Sequence, residues 1–144
     1  MTAIYFVETT AGEQNDCICR WTERFYLERK HVRVVVDSLA DAQLIDQLLW
    51  TFSQQSFIPH KIFNSGTNQP GEPVLITPGQ FPASCCEVLV CGCETELEFM
   101  NSFETAVHFI LGDDPRRKQK SRLLWQGAKE RGLNPIHVPY ERRH

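Results

Sequence analysis

The sequence predicts an α/β fold: a single domain (residues 1–144) with a mostly parallel, twisted sheet of about five strands and helices on both faces. The outline is Rossmann-like, without a nucleotide fingerprint. Three observations predict it. Short apolar runs rich in β-branched residues alternate with longer segments of helical period, the pattern of strand–helix–strand units whose strands run parallel. The strand runs, such as Val32-Arg33-Val34-Val35-Val36, are apolar almost throughout rather than alternating, as expected where both sheet faces are covered. A chain of 144 residues is long enough to bury one core and is of ordinary size for one domain.

Ala3-Ile4-Tyr5-Phe6-Val7 is the first strand. A helix follows from near Gln14 to Lys30. Ile18, Trp21 and Phe25 form its core stripe at helical spacing, and Arg20, Glu23, Arg24 and Glu28 cover the other side. Val32 to Val36 is the second strand. Ser38 caps the next helix, with Asp41 three residues on in a near capping-box arrangement. That helix runs to about Phe52. At ~100° per residue, Ile45, Leu48, Leu49 and Phe52 share one face. Trp50 falls instead with Gln43, Asp46 and Gln47 on the polar side. A Trp there is either a contact residue, since aromatics concentrate at binding hot spots, or a ring covered by a neighbouring loop.

Ser56-Phe57-Ile58-Pro59-His60 opens a loop-rich stretch containing Gly66, Pro70, Gly71 and Pro73. Phe57, set between polar residues and a proline segment, is expected at the surface. His60 has no Asp or Ser partner nearby in sequence and reads as structural. The third strand, Val74 to Thr77, ends at Pro78-Gly79. The fourth is Glu87 to Cys91. Residues 92–104 are acidic, with Leu97, Phe99, Met100 and Phe103 between the acids, and read as one irregular helical turn. Ala106 to Leu111 is the fifth strand. The last helix runs from Pro115 to about Arg131 and stops at Gly132. The tail carries a short apolar piece, Ile136 to Val138.

The last helix is the most informative stretch. Asp113 and Asp114 suit its cap and Pro115 its first turn. Arg116, Arg117, Lys118, Lys120 and Arg122 then fall within seven residues. That is the wrong sign for a helix N-terminus, which favours negative charge by roughly 0.3–1 kcal/mol. Trp125 follows Arg122 by three residues and shares its face. Two readings stand: a pocket for an anion with an apolar floor, or a solvated basic helix end. Ligands in such sheets bind at the carboxyl ends of strands, where this helix begins.

Charge and composition narrow the classes. Residues 115–144 hold nine of the fifteen Lys and Arg but two of the eighteen Asp and Glu. An acidic body with a basic end is unlike a general nucleic-acid binder, which shows a basic face across the fold. No apolar run approaches the ~20 residues needed to span a membrane, and the first residues lack a basic n-region and cleavage site. A cytoplasmic protein is expected. Six cysteines (17, 19, 85, 86, 91 and 93) show no C-x-x-C spacing. Buried, inert thiols are favoured over a zinc site. Neither G-x-G-x-x-G nor G-x-x-x-x-G-K-[ST] occurs, and no acid–base or nucleophile constellation stands out. No cofactor is implied.

Leu48-Leu49-Trp50, followed by Ser56-Phe57-Ile58-Pro59-His60 and closed by Gly66, resembles the chi subunit family of bacterial DNA polymerase III. The W-x(6)-F-[IV]-P-H element is its most specific part. The chain length, first strand and glycine-closed basic helix extend the resemblance over nearly the whole chain. The resemblance implies a non-catalytic accessory of the clamp loader. Such a subunit pairs with the psi subunit and binds the acidic C-terminal tail of single-stranded-DNA-binding protein (SSB), touching DNA only indirectly and no membrane. It further implies that Arg122 is the central carboxylate contact, with Lys118 one turn earlier and Trp125 in place of a tyrosine. Leu111 would form an apolar wall, and Trp50 is also linked to SSB. Gln126 replaces a second lysine, so one cation is missing. Phe57, with Ile58 and Pro59, would face psi, or an XPD-like repair helicase that competes with psi. The alternative is a nucleotide-binding α/β enzyme of unknown substrate. Direct nucleic-acid binding through residues 116–122 would be weak and salt-sensitive.

Overall fold

The protein is described from a computed structural model, covering residues 2–52, 57–63, 71–80 and 87–140. Ser56, Gly66, Pro70, Cys85 and Cys86 lie outside the described residues. The elements are β1 (Ala3–Thr9), α1 (Gln14–Leu27), β2 (Val32–Val36), α2 (Leu39–Phe52), β3 (His60–Ile62), β4 (Val74–Pro78), β5 (Val88–Cys91), α3 (Leu97–Met100), β6 (Thr105–Leu111), α4 (Pro115–Glu130) and β7 (Asn134–Val138).

The seven strands form one sheet in the order β3-β4-β2-β5-β6-β1-β7, and every pair is parallel. The expected five strands are all present. The two additional strands are its edges. β3 is three residues long and includes exposed Lys61, too short for a periodic signal. β7 contains Pro135, which argues against a strand in sequence but is tolerated at an edge. Asn134 N donates to Thr2 O. The alternation of a parallel ladder then turns Pro135's missing N–H outward, where no neighbour needs it.

Strand alternation sorts the core into two layers. Val34, Val36, Val107 and Phe109 pack beneath Cys17, Ile18 and Phe25 of α1 and Ile45 and Leu49 of α2. Ile4, Phe6, Val35 and Leu89 pack on the other face beneath Met100 of α3 and Ala128 of α4. The acidic stretch 92–104 contributes only the four-residue α3. α1 ends at Leu27, short of the expected Lys30, and Arg29 takes a φ of +63° as the chain turns into β2. Arg33 is fully buried. Its Nε donates to Thr77 Oγ1 at 3.1 Å and its guanidinium lies 5.2 Å from the Phe99 ring.

The strand ends where doubly wound sheets commonly take nucleotides are laced by hydrogen bonds from backbone N–H groups. Between β1 and β6, Gly112 N donates to Thr9 O at 3.0 Å and Ala11 N to Asp113 Oδ1 at 3.0 Å. Between β2 and β5, Gly92 N donates to Val35 O at 2.7 Å. A Cβ on Gly92 would stand 2.9 Å from both Val35 O and Val36 Cγ1, so only glycine lets the two strand ends approach this closely.

Candidate functional site

The N-terminus of α4 is built as its sequence dictates. Asp114 is in extended conformation and accepts from Arg116 N at 3.1 Å and Arg117 N at 3.2 Å, with Pro115 in the first turn. Gly132 closes the far end with a φ of +74°, the left-handed geometry a helix stop requires.

The five cations clustered in the first half of this helix divide into two groups. Glu94, on the loop after β5, gathers three of them: Lys120 Nζ at 2.8 Å, Arg116 Nη2 at 3.0 Å and Arg117 Nε at 3.4 Å. The hydrogen bond from Lys120, with the charges of Lys120, Arg116 and Arg117 behind it, holds the Glu94 carboxyl below the usual carboxylate range. The other two, Lys118 and Arg122, make no ion pair among the described residues and are exposed. They line a cleft of about 380 Å³ between α4 and the β6–β1–β7 side of the sheet, together with Trp125, Phe6, Ile110, Ser121, Glu8 and His137. Trp125 meets Phe6 edge-on at 5.0 Å, and the Lys129 ammonium lies 5.4 Å from the Trp125 ring.

Beneath the helix, His108 Nε2 lies 2.8 Å from Ser121 Oγ, and Ser121 Oγ donates to Arg117 O at 3.1 Å. The hydroxyl's one proton is therefore committed, and His108 donates through Nε2. Burial, with the Arg117 charge second, pushes the His108 imidazole down to about 4. It is a neutral strut between β6 and α4.

Of the residues expected at this site, Arg122, Lys118 and Trp125 come together. Leu111 does not join them. Its side chain is buried, and strand alternation puts it with Val107 and Phe109 on the α1 face; the apolar wall of the cleft is its neighbour Ile110. Trp50 is not there either. It lies on α2, at the β3 edge of the sheet, 53% exposed, with its ring 5.5 Å from Phe57 and 4.5 Å from His60. Phe57 is 68% exposed, Pro59 half-buried, and Ile58 a core residue at 2%. Of the Phe57-Ile58-Pro59 segment, Phe57 is the side chain most available to a partner. His60 is buried, with Nδ1 2.6 Å from Ile58 O and Nε2 3.0 Å from Asp46 O and 3.3 Å from the Asp46 carboxylate, an aspartate neighbour not expected from sequence. Glu94, Phe6, Ile110, Glu8 and His137 were not singled out from sequence. Glu94 appears there only as part of an acidic stretch, and no spacing rule ties it to residues 22 to 26 positions away.

The four described cysteines are buried, and burial pushes the Cys19, Cys91 and Cys93 thiols up to about 12. Among the described residues no group of three or more His, Cys, Asp or Glu is placed to hold a metal. No helix among them is long and apolar enough to cross a membrane.

Comparison with solved structures finds T4 UvsW, from "The crystal structure of T4 UvsW", at a TM-score of 0.68 and 8% identity. The likeness covers 96% of this chain but 41% of that one, and at such identity it concerns the fold alone. Comparison with curated proteins finds no match. Residues 1–135 match the family described as DNA polymerase III chi subunit, HolC. That match takes in every strand and helix up to the start of β7, including the Trp50–Phe57 pair and every residue of the α4 cleft except His137, and the chain belongs to the DNA polymerase III chi subunit family.

Proposed function

We propose that this DNA polymerase III accessory subunit binds the acidic C-terminal tail of SSB in the α4 cleft and the psi subunit at the Trp50–Phe57 surface. It thereby bridges SSB-coated DNA to the clamp loader, with no catalytic step of its own. The observation that carries the reading is the division of the cations. Glu94 pairs with Arg116, Arg117 and Lys120, whereas Lys118 and Arg122 stand without a carboxylate partner among the described residues, beside an aromatic and aliphatic floor. A terminal carboxylate and a neighbouring aspartate would accept charge-assisted hydrogen bonds from the two cations. The terminal phenyl ring would pack on Trp125 and Ile110, with Phe6 buried behind them. Ile110 takes the wall role expected of Leu111.

Trp50 fits the psi surface better than the tail cleft, because its ring meets Phe57 across the sheet from α4. An XPD-like helicase would compete for the same pair of rings. Contact with DNA is indirect on this reading, because one local cluster of cations on an otherwise acidic body gives only weak, salt-sensitive attraction to a nucleic acid. Assembly with the replication machinery implies work in the cytoplasm. The nucleotide-enzyme alternative is disfavoured by the laced strand ends at Gly92 and Gly112.

The test is fluorescence anisotropy of a labelled acidic peptide ending in Asp-Phe, with a C-terminally amidated control. Binding should need the free carboxylate and weaken with salt. Arg122→Ala should lose affinity by about tenfold or more, ~1.4 kcal/mol. Unchanged affinity in that variant would remove the cleft from the proposal.

A further inference from the structure

The α4 cleft is not uniformly basic. Glu8, the penultimate residue of β1, forms part of its wall. Phe6 and Glu8 point to the same sheet face, and the register sets Phe6 beside His137 on β7. From there Glu8 Oε2 reaches His137 Nε2 at 2.9 Å. That hydrogen bond fixes the carboxylate against the sheet, while a side-chain exposure of 38% leaves its charge accessible to whatever enters. The cleft therefore has two unlike walls. Lys118 and Arg122 on α4 form the positive one, Glu8 on β1 the negative one, and Trp125 and Ile110 lie in the same cleft.

A ligand acidic along its whole length cannot satisfy both walls. A peptide whose acids are gathered at its carboxyl end, with neutral residues before them, can do so. Its acids meet α4, and the preceding backbone or hydroxyl groups can donate to Glu8. Resting on the tail-binding reading above, we propose that Glu8 is the specificity-determining residue of this cleft. It confines the acidic groups of a bound peptide to the α4 wall and disfavours a peptide whose acidic run continues across β1. A like-charge contact at a partly solvated site changes affinity by roughly threefold to fivefold.

The experiment uses two labelled peptides of equal length with the same free Asp-Phe terminus, one preceded by serines and the other by aspartates. Both are titrated by anisotropy with the full chain and with Glu8→Gln and Glu8→Asp, and each variant is first melted to confirm folding. Glu8→Gln should shift the ratio of the two affinities toward the aspartate-rich peptide by roughly threefold to fivefold. Glu8→Asp, which keeps the charge, should retain the original ratio. If the original chain binds and Glu8→Gln leaves the ratio unchanged, the role of Glu8 is overturned and the tail-binding reading stands. Equal weakening of both peptides in Glu8→Gln would overturn it too, making the carboxylate a tether for β7. If the original chain binds neither peptide, the tail-binding reading falls and this inference with it.

Discussion

His108 couples stability to pH through a single buried ring. Unfolded, a histidine titrates near 6.5; folded, burial and then Arg117 push His108 down to about 4. The folded value is the lower one, so the unfolded chain takes up the proton first as pH falls. The contribution of the neutral ring is complete above about 6.5 and is lost between there and about 4. A shift of this size corresponds to something on the order of 3 kcal/mol across the window. Melting temperature should therefore fall between pH 7 and pH 5, and His108→Leu should lessen that fall, since Ser121 keeps its bond to Arg117 O. Parallel declines in both proteins would exclude His108 as the cause. Glu94 acts in a separate window: its depressed carboxyl value supports stability above about 4.5 and withdraws it only at lower pH. Neither residue's role could be read in sequence. His108 sits unmarked in an apolar strand, and the charge in Arg33 is masked likewise by the valines around it.

The elements were legible where their causes are local. Ser38 caps α2 through Asp41 N at 3.2 Å, Asp114 caps α4, and Gly132 ends it with a positive φ. Each motif lies within a few residues of the end it sets. The α4 cap also sets the site, because the first turn it organises carries Arg116 and Arg117 to Glu94. Asp114→Ala removes the acceptor for two otherwise free N–H groups and should cost about 1 kcal/mol. It should appear as a lower urea midpoint with an unchanged slope. Tail-peptide affinity should fall less than in Arg122→Ala, because Arg122 lies nearly two turns further along α4. No change in the midpoint would mean that packing alone holds the first turn. The illegible elements were those without a local signal. β3 is too short for one, and β7 is disguised by Pro135. Leu111, the wall residue that the resemblance implies, is buried, and its neighbour Ile110 lines the cleft. In a strand apolar at nearly every position, composition does not say which parity faces α4; only the packed helix does.

At the scale of the whole molecule, the two candidate surfaces stand at opposite ends of one sheet. Phe57 and Trp50 belong to the β3 edge and the α4 cleft to the β7 edge. Six strand spacings of about 4.8 Å separate those edges by about 30 Å. Sequence could not show this, because strand order depends on crossovers spanning tens of residues. The resemblance links Trp50 to the same partner as Arg122, although the sheet sets the two residues apart. The separation has a thermodynamic consequence. The strands between are buried and laced at Gly92 and Gly112, and among the described residues no side chain lines both surfaces. Sites more than about 10 Å apart with no common partner contribute additively, within roughly 0.5 kcal/mol. Phe57→Ala should impair psi pairing and leave tail-peptide affinity within about twofold, while Arg122→Ala should do the reverse. The double variant should show the sum of the two losses. Saturating the chain with psi should likewise leave the tail-peptide titration unmoved, so that both partners are held at once and the bridge tightens through tethering rather than through conformational coupling. A tail affinity that changes several-fold on psi binding would show that the sheet transmits a difference between its edges.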